Sequence, residues 1–481
     1  MSTEPTRRRA RRRRSGRRFA ITLVAVVAAL ALTSLAGAAA TIVAGPRVTD
    51  VQVDPAAAAQ TSGVRLIVTT SLPLEQVDQA QVRVEPEAAF AVDTAGRSVG
   101  VRFALPLWDD TEYTVSFTGL RGVGASNAVS FSESFRTPPA EVFLLQRGAD
   151  DRSGDTNGDT IVRSNLAGTD STDIFTHRHI EDFRATSRYL VISTRDESEN
   201  TQLIVTDLDG TNPRALTLPG DGFVTQLQSA DRGDRIGYIY TDRKLSATSG
   251  RESRLFTASL DQPDAAATPI EITGADPRIA EWSFVPDTDS ILLLSFDGTL
   301  LLTDAEGADA TALGDAVAID GIARGSTEAI VQRIDNRAVI DLSDASEQEL
   351  VTPDVDLGLI GTVTAVPDMA ALPGSTIRVA AETDATGAPT GGTSVSLVQT
   401  SGATRPLVEV SPRDAVLHIC VSPSARYAAV LVAPDAAANR YDTYALPMPA
   451  TLETRIVQID TGEQVGVLPG FDISWCTLAP A

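Results

Sequence analysis

The sequence predicts an all-β protein: a small antiparallel sandwich, then a closed ring of seven blades with six as the alternative count, behind one N-terminal transmembrane helix. A strand-and-turn phrase recurs about seven times over the last two thirds of the chain, at intervals of about 37 to 60 residues. Long periodic helices are hard to find, whereas Val, Thr, Asp and Gly alternate throughout. An arginine cluster precedes an apolar run near the N-terminus.

Nine arginines lie between Arg7 and Arg18. The formal charge of −23 therefore hides an asymmetry: beyond residue 18 there remain 31 basic and 62 acidic side chains, about −31. Such a body repels phosphate backbones, which excludes nucleic acid as an expected partner. Residues 19–44, FAITLVAVVAALALTSLAGAAATIVA, contain no ionisable side chain and are long enough to cross a bilayer as a helix. Arginines on one flank hold residues 1–18 in the cytoplasm and place everything beyond residue 45 outside. Length favours a retained anchor in the cell membrane; Ala38-Ala39-Ala40 keeps open a cleaved signal and a secreted product.

Residues 45–139 alternate as strands separated by turn residues every 8 to 15 positions or so, which suits a sandwich. Tyr113 is expected to pack inside it. Pro138-Pro139 mark a stiff junction to residues 140–481. The clearest repeat, LIVTDLDGTNPRALTLPG from Leu203, is an apolar strand, a turn in which Gly210 is free to take positive φ, and a second short strand. Innermost strands of successive blades begin near Ile180, Val224, Ile279, Ala318, Ile360, Val416 and Ile473. The last has almost no chain after it, and Glu141 to Phe175 supplies outer strands without an inner one. Pairing these two deficits closes the ring and removes exposed edges.

Two resemblances accompany this reading. Ser71-Leu72-Pro73-Leu74, Asp110 to Val115 and Phe135-Arg136-Thr137 resemble bacterial Ig-like domains of the S-layer type. That resemblance implies an Ig-like β-sandwich serving as spacer or adhesive module. CVSPSARYAAVLV from Cys420 and FRATSRYLVIS from Phe183 resemble the TolB-type and WD40-like repeat, which implies a β-propeller. The turn Ser422-Pro423-Ser424-Ala425 has drifted from the usual Ser-Pro-Asp-Gly form, so the fold carries over better than any site.

Cys420 and Cys476 are the only cysteines and fall at equivalent places on neighbouring inner strands. A disulfide and two buried thiols are both open. In the loop 150–160, Asp155, Asn157 and Asp159 have calcium-loop spacing, with the Ile161 carbonyl at the seventh position. Thr160 replaces the usual Gly and Leu166 the bidentate acid, so calcium is the one candidate cofactor and a solvated turn its alternative. His177 and His179 form a His-x-His pair without an evident third ligand. His418 is expected to be packed or to face the channel. No GxSxG elbow occurs, and no catalytic residue is assigned.

Four connections between second and third blade strands are long: 147–160, 240–254, 382–394 and 434–454. In an up-and-down blade they share one rim with the links between blades, which makes that rim the expected binding surface. Arg440, Tyr441, Tyr444 and Met448 in the last loop are the expected contact residues. The expected function is a membrane-anchored extracytoplasmic scaffold presenting a propeller to a protein or peptide. The alternative is an extracytoplasmic propeller hydrolase or lyase acting on glycan or peptide. Channel carboxylates with perturbed pKa would favour the enzyme, and an apolar rim would favour binding.

Overall fold

The computed structural model describes residues 45–148, 158–196, 200–246, 248–262, 265–369, 371–478 and 480. The expected transmembrane segment, 19–44, lies outside these, and among the described residues no helix is long and apolar enough to cross a membrane. The described chain is β-rich, its one α-helix being Pro55–Gln60.

The chain divides into two compact units, and not by a single cut after residue 139: residues 55–64 and 103–111 group with the larger one. The smaller unit holds two antiparallel sheets. One runs in the order Val48–Gln52, Arg65–Thr70, Ser98–Phe103, Phe90–Ala95; the other runs Val82–Glu85, Glu112–Arg121, Ala128–Arg136. Period-2 alternation buries one face of each, with Leu66, Val68, Val99 and Val101 on the first and Val84, Tyr113, Val115 and Phe117 on the second. Tyr113 is 1% exposed and stacks against Phe135.

The larger unit contains six four-stranded antiparallel sheets, each with its strands in sequence order, and a three-stranded sheet formed by Glu141–Gln146, Asp159–Asn165 and Ser171–His177. The innermost strands of the six are Ile180–Ala185, Gly222–Ser229, Ile279–Phe284, Ala318–Ile322, Leu359–Ala365 and Ala415–Val421. They define the first to sixth blades. The three-stranded sheet is completed by the chain's end: Leu145 and Phe471 exchange backbone hydrogen bonds of 2.9 and 3.0 Å, and the Ser474 amide donates to the Phe143 carbonyl. This is the seventh blade, and the ring is a seven-bladed β-propeller.

Apolar cores lie between neighbouring blades. Leu203 and Val205 of the first meet Leu227 and Tyr238 of the second; Ile239 and Leu255 of the second meet Trp282 and Leu293 of the third. Gly237 lets the Trp282 ring approach the second blade, because a Cβ there would run into the ring. Gly237→Ala is therefore expected to cost about 1–3 kcal/mol by overpacking, measured by urea unfolding. Gly210 takes φ +79° at its turn and sits against the Ile174 carbonyl, where no Cβ fits.

All six four-stranded blades carry a bulge in the innermost strand, at Glu181, Gln226-Leu227, Ala280, Asp320, Gly361 and Leu417. Near these bulges, polar side chains reach to the next blade. Gln226 donates to the Ala280 carbonyl, Glu281 accepts from the Ile319 amide, Arg337 donates to the Gly361 carbonyl and Thr364 to the Ile419 carbonyl. Successive blades are thus joined by oriented hydrogen bonds as well as by apolar contact.

Candidate functional site

The seam where the sixth, seventh and first blades meet holds the densest polar construction in the larger unit. Arg184, on the first innermost strand, donates to both Asp472 oxygens at 2.7 and 2.8 Å and pairs with Asp182 at 2.9 Å. The side chains of Arg184 and Asp472 are 3% and 1% exposed. Among the described residues Arg184 Nη2 meets no hydrogen-bond partner. Burial holds the Asp182 carboxyl well above its usual range, reinforced by the Asp472 carboxylate and opposed by the Arg184 guanidinium. Burial likewise pushes the His418 imidazole, on the sixth innermost strand, down to about 4.

The sign of the His418 effect follows from proton counting. Its folded pKa lies below the ordinary 6.5, so between about pH 6.5 and about 4 the unfolded chain binds more protons at this group. The contribution of this one group to stability is expected to fall by up to about 3 kcal/mol as pH drops through that window, against the opposite contribution of carboxyls held above their usual range, such as Asp182 and Asp159. His418→Gln should flatten that part of a stability–pH curve measured by urea unfolding.

Toward the rim that carries the inter-blade links lies a second network. The Tyr444 hydroxyl donates to both Asp159 oxygens at 2.7 and 2.8 Å, and Asp159 also accepts from the Gly148 and Ile180 amides. Burial raises the Asp159 carboxyl above its usual range even against these donors. Arg147 lies over the Tyr444 ring at 3.8 Å, pairs with Asp442 at 2.7 Å and donates to the Leu446 and Glu181 carbonyls. His179 stacks on Tyr444 with ring centroids 4.0 Å apart and bonds Glu181 at 2.7 Å, while Arg195 pairs with Glu181 at 2.9 Å. Burial opposes ionisation of Glu181, but the His179 bond and Arg195 hold its carboxyl below the usual range.

Several sequence expectations change here. Asp155 and Asn157 lie outside the described residues. Asp159 is 1% exposed, and both its carboxylate oxygens accept hydrogen bonds within the seam. Ile161 is paired within the seventh blade and Leu166 is buried. Among the described residues no group of three or more His, Cys, Asp or Glu is arranged to hold a metal ion. The His179 amide donates to His177 Nδ1 and His179 Nε2 bonds Glu181, which uses one ring nitrogen of each in the fold.

Of the four expected contact residues, Arg440 and Tyr441 are exposed, the latter by 60%. Met448 is 3% exposed within the seam core, and Tyr444 is half-buried. These two turn inward because the loop 434–452 is strapped across the seam by Arg147, Asp159 and Glu181 instead of projecting into solvent. The expected loop 382–394 is mostly strand, with Thr376–Thr383 and Pro389–Val398 leaving a tight turn. Tyr444→Phe leaves a buried carboxylate short of a donor, so a loss of about 1–3 kcal/mol is expected. Faster proteolysis between residues 434 and 452 should accompany it.

Cys420 and Cys476 form a disulfide with Cα atoms 5.3 Å apart, joining the sixth innermost strand to the closing segment. Sequence reasoning missed Arg184, Asp182 and Asp472. The available signal was a polar residue at the same inner-strand position in several repeats: Asp182, Glu281 and His418 each directly follow the bulge.

The rim carrying the links also concentrates exposed apolar side chains. Nine large hydrophobic residues are exposed among the described ones, and seven of them lie there: Leu245, Phe296, Val317, Ile334, Val355, Leu359 and Tyr441. A groove of about 710 Å³ on this rim is lined by Leu245, Glu252, Arg254, Asp276 and Arg278, among others.

No protein-family profile matches the chain, and no curated protein matches it in sequence. Solved structures do resemble it. An oligogalacturonate lyase in complex with manganese is 11% identical, with a TM-score of 0.43 over 78% of this chain and 95% of that one. An oligogalacturonate lyase from Vibrio parahaemolyticus is 11% identical, with a TM-score of 0.44 over 68% and 96%. A Bacteroides thetaiotaomicron protein of unknown function is 11% identical, with a TM-score of 0.36 over 80% and 95%.

Proposed function

We propose that the chain is a membrane-anchored extracytoplasmic binding protein, in which an Ig-like spacer carries a TolB-like propeller whose link-bearing rim engages a protein or peptide. Residues 19–44 serve as the anchor and residues 1–18 stay in the cytoplasm. The observation that carries the binding reading is the concentration of exposed apolar side chains on one rim, since soluble surfaces seldom gather them without a partner.

A photo-crosslinking side chain at Phe296 or Ile334 is expected to yield adducts on intact cells, while one at Thr288 or Ala308 on the opposite rim yields none. Equal yields from both rims would refute the assignment. Topology has its own test, because Lys244 is the only lysine in the sequence and is exposed. A membrane-impermeant amine reagent should label it on intact cells; protection until lysis would contradict an extracytoplasmic body.

A second reading, an extracytoplasmic hydrolase or lyase acting on glycan or peptide, is favoured by the seam cluster. Asp182 with a raised pKa and His418 with a lowered one make an acid and a base in one cluster around Arg184 and Asp472. Turnover of a polysaccharide or peptide that Asp182→Asn abolishes would establish it.

A further inference from the structure

The exposed apolar residues of the third to fifth blades come with a second regularity. Phe296-Asp297 sits at the tip between the second and third strands of the third blade, and Ile334-Asp335 holds the same place in the fourth. Val355-Asp356 occupies the link into the fifth. Each tip presents an apolar side chain followed by an exposed carboxylate. Asp315 and Asp354 are exposed on the same stretch of rim, beside Val317 and Val355.

The basic residues nearby are already used. Arg333 pairs with Glu347 at 2.6 Å and donates to the Leu313 and Asp315 carbonyls. Arg278 pairs with Asp276 at 2.7 Å and lies over the Phe296 ring. Among the described residues, none of Asp297, Asp315, Asp335, Asp354 and Asp356 has a basic partner within ion-pair distance. The stretch is therefore apolar and negative, with its own cations spent.

The opposite arc of this rim shows how it can be covered. There the chain's own irregular segment 434–452 lies across the seam, inserting Met448 into the core and pairing Asp442 with Arg147. The third and fourth blades have only short tips in place of that strap, and among the described residues none lies across them.

We propose that the rim of the third to fifth blades binds an extended basic segment of a protein partner, its apolar side chains against Phe296, Ile334 and Val355 and its cations facing the neighbouring aspartates. This rests on the binding function proposed above and names the chemistry of the partner. An apolar side chain fixes the position of the segment, while the carboxylates choose its sign and speed its encounter. A segment carrying carboxylates would meet unpaired like charges.

The test uses the full chain in non-ionic detergent and a fluorescein-labelled short peptide alternating Arg and Val. Matched peptides carry Glu in place of Arg, or Ser in place of Val. The Arg–Val peptide is expected to bind, with affinity falling as salt rises. It should weaken roughly tenfold with Phe296→Ser combined with Ile334→Ser, and weaken again with Asp297→Asn combined with Asp335→Asn. These four side chains are exposed, so the variants retain the fold. Equal binding of the Glu–Val peptide, lost in the Ser variant, would overturn the basic chemistry while leaving the rim as a binding surface. Failure of every peptide to respond to either rim variant would overturn both. A concentration-dependent dimer in sedimentation, abolished by Ile334→Ser, would assign the surface to a second copy of this chain and overturn the proposal. So would an affinity increase on deleting residues 1–18, because the chain's own arginines would then be the occupant.

Discussion

Arg184→Met is expected to destabilise the propeller by about 3–5 kcal/mol, the usual result of removing one partner from a buried ion cluster. Among the described residues Arg184 is the only cation hydrogen-bonded to Asp472, and it also pairs with Asp182. Asp182 sits on the first innermost strand and Asp472 on the closing segment, which meet where the ring closes. Without the guanidinium, two carboxyl groups face each other away from water, and neither can ionise cheaply. Asp182, already held above the usual range in the native protein, loses the guanidinium that opposes this shift and would take up a proton, so the variant's deficit relative to the native protein should shrink as pH falls below neutral. Urea unfolding of both proteins at neutral and mildly acidic pH checks this. A triple replacement, Arg184→Met with Asp182→Leu and Asp472→Leu, should recover part of the loss, since apolar packing can substitute for a complete buried cluster but not for a broken one.

Loss of the Cys420–Cys476 disulfide is the second large effect. The bridge spans 56 residues, and the chain-entropy relation for a loop of that size gives about 4 kcal/mol. Its position sharpens the expectation: the loop it closes contains the last three strands of the sixth blade, and its far end lies on the segment that completes the seventh. Reduction therefore loosens the segment on which closure depends. Cys420→Ser with Cys476→Ser should lower the urea midpoint accordingly, and reductant should have no further effect on that variant. Asp472 and Cys476 share the closing segment, so the two large effects are expected to be non-additive in a double-mutant cycle.

Ring closure was legible in the sequence because it depends on counting alternating strands. An orphan group of outer strands at Glu141 to Phe175 and an orphan inner strand near Ile473 have few other ways to satisfy their edges. The rim that gathers the links between blades was legible for the same reason, since strand order alone decides which loops share an end. Individual loops were not. The connection 382–394 was expected to be long, yet Pro389 opens a strand, a position where a missing N–H is tolerated. Tyr444 and Asp159 were each singled out, but for separate roles. They stand 285 residues apart, and no local pattern announces a pairing at that range. Met448 looked available in a proline-rich loop because a sequence does not show which side of a strap faces the core.

Closure of the ring depends on the first strand of the propeller pairing with the last segment. Hydrogen exchange at the amides of Leu145 and Phe471 reads that pairing directly. The account predicts protection at both amides close to that of the buried strand Tyr427–Ala433, and its loss at Leu145 when residues 471–481 are deleted. Rapid exchange at both amides in the intact, oxidised chain would contradict a closed ring.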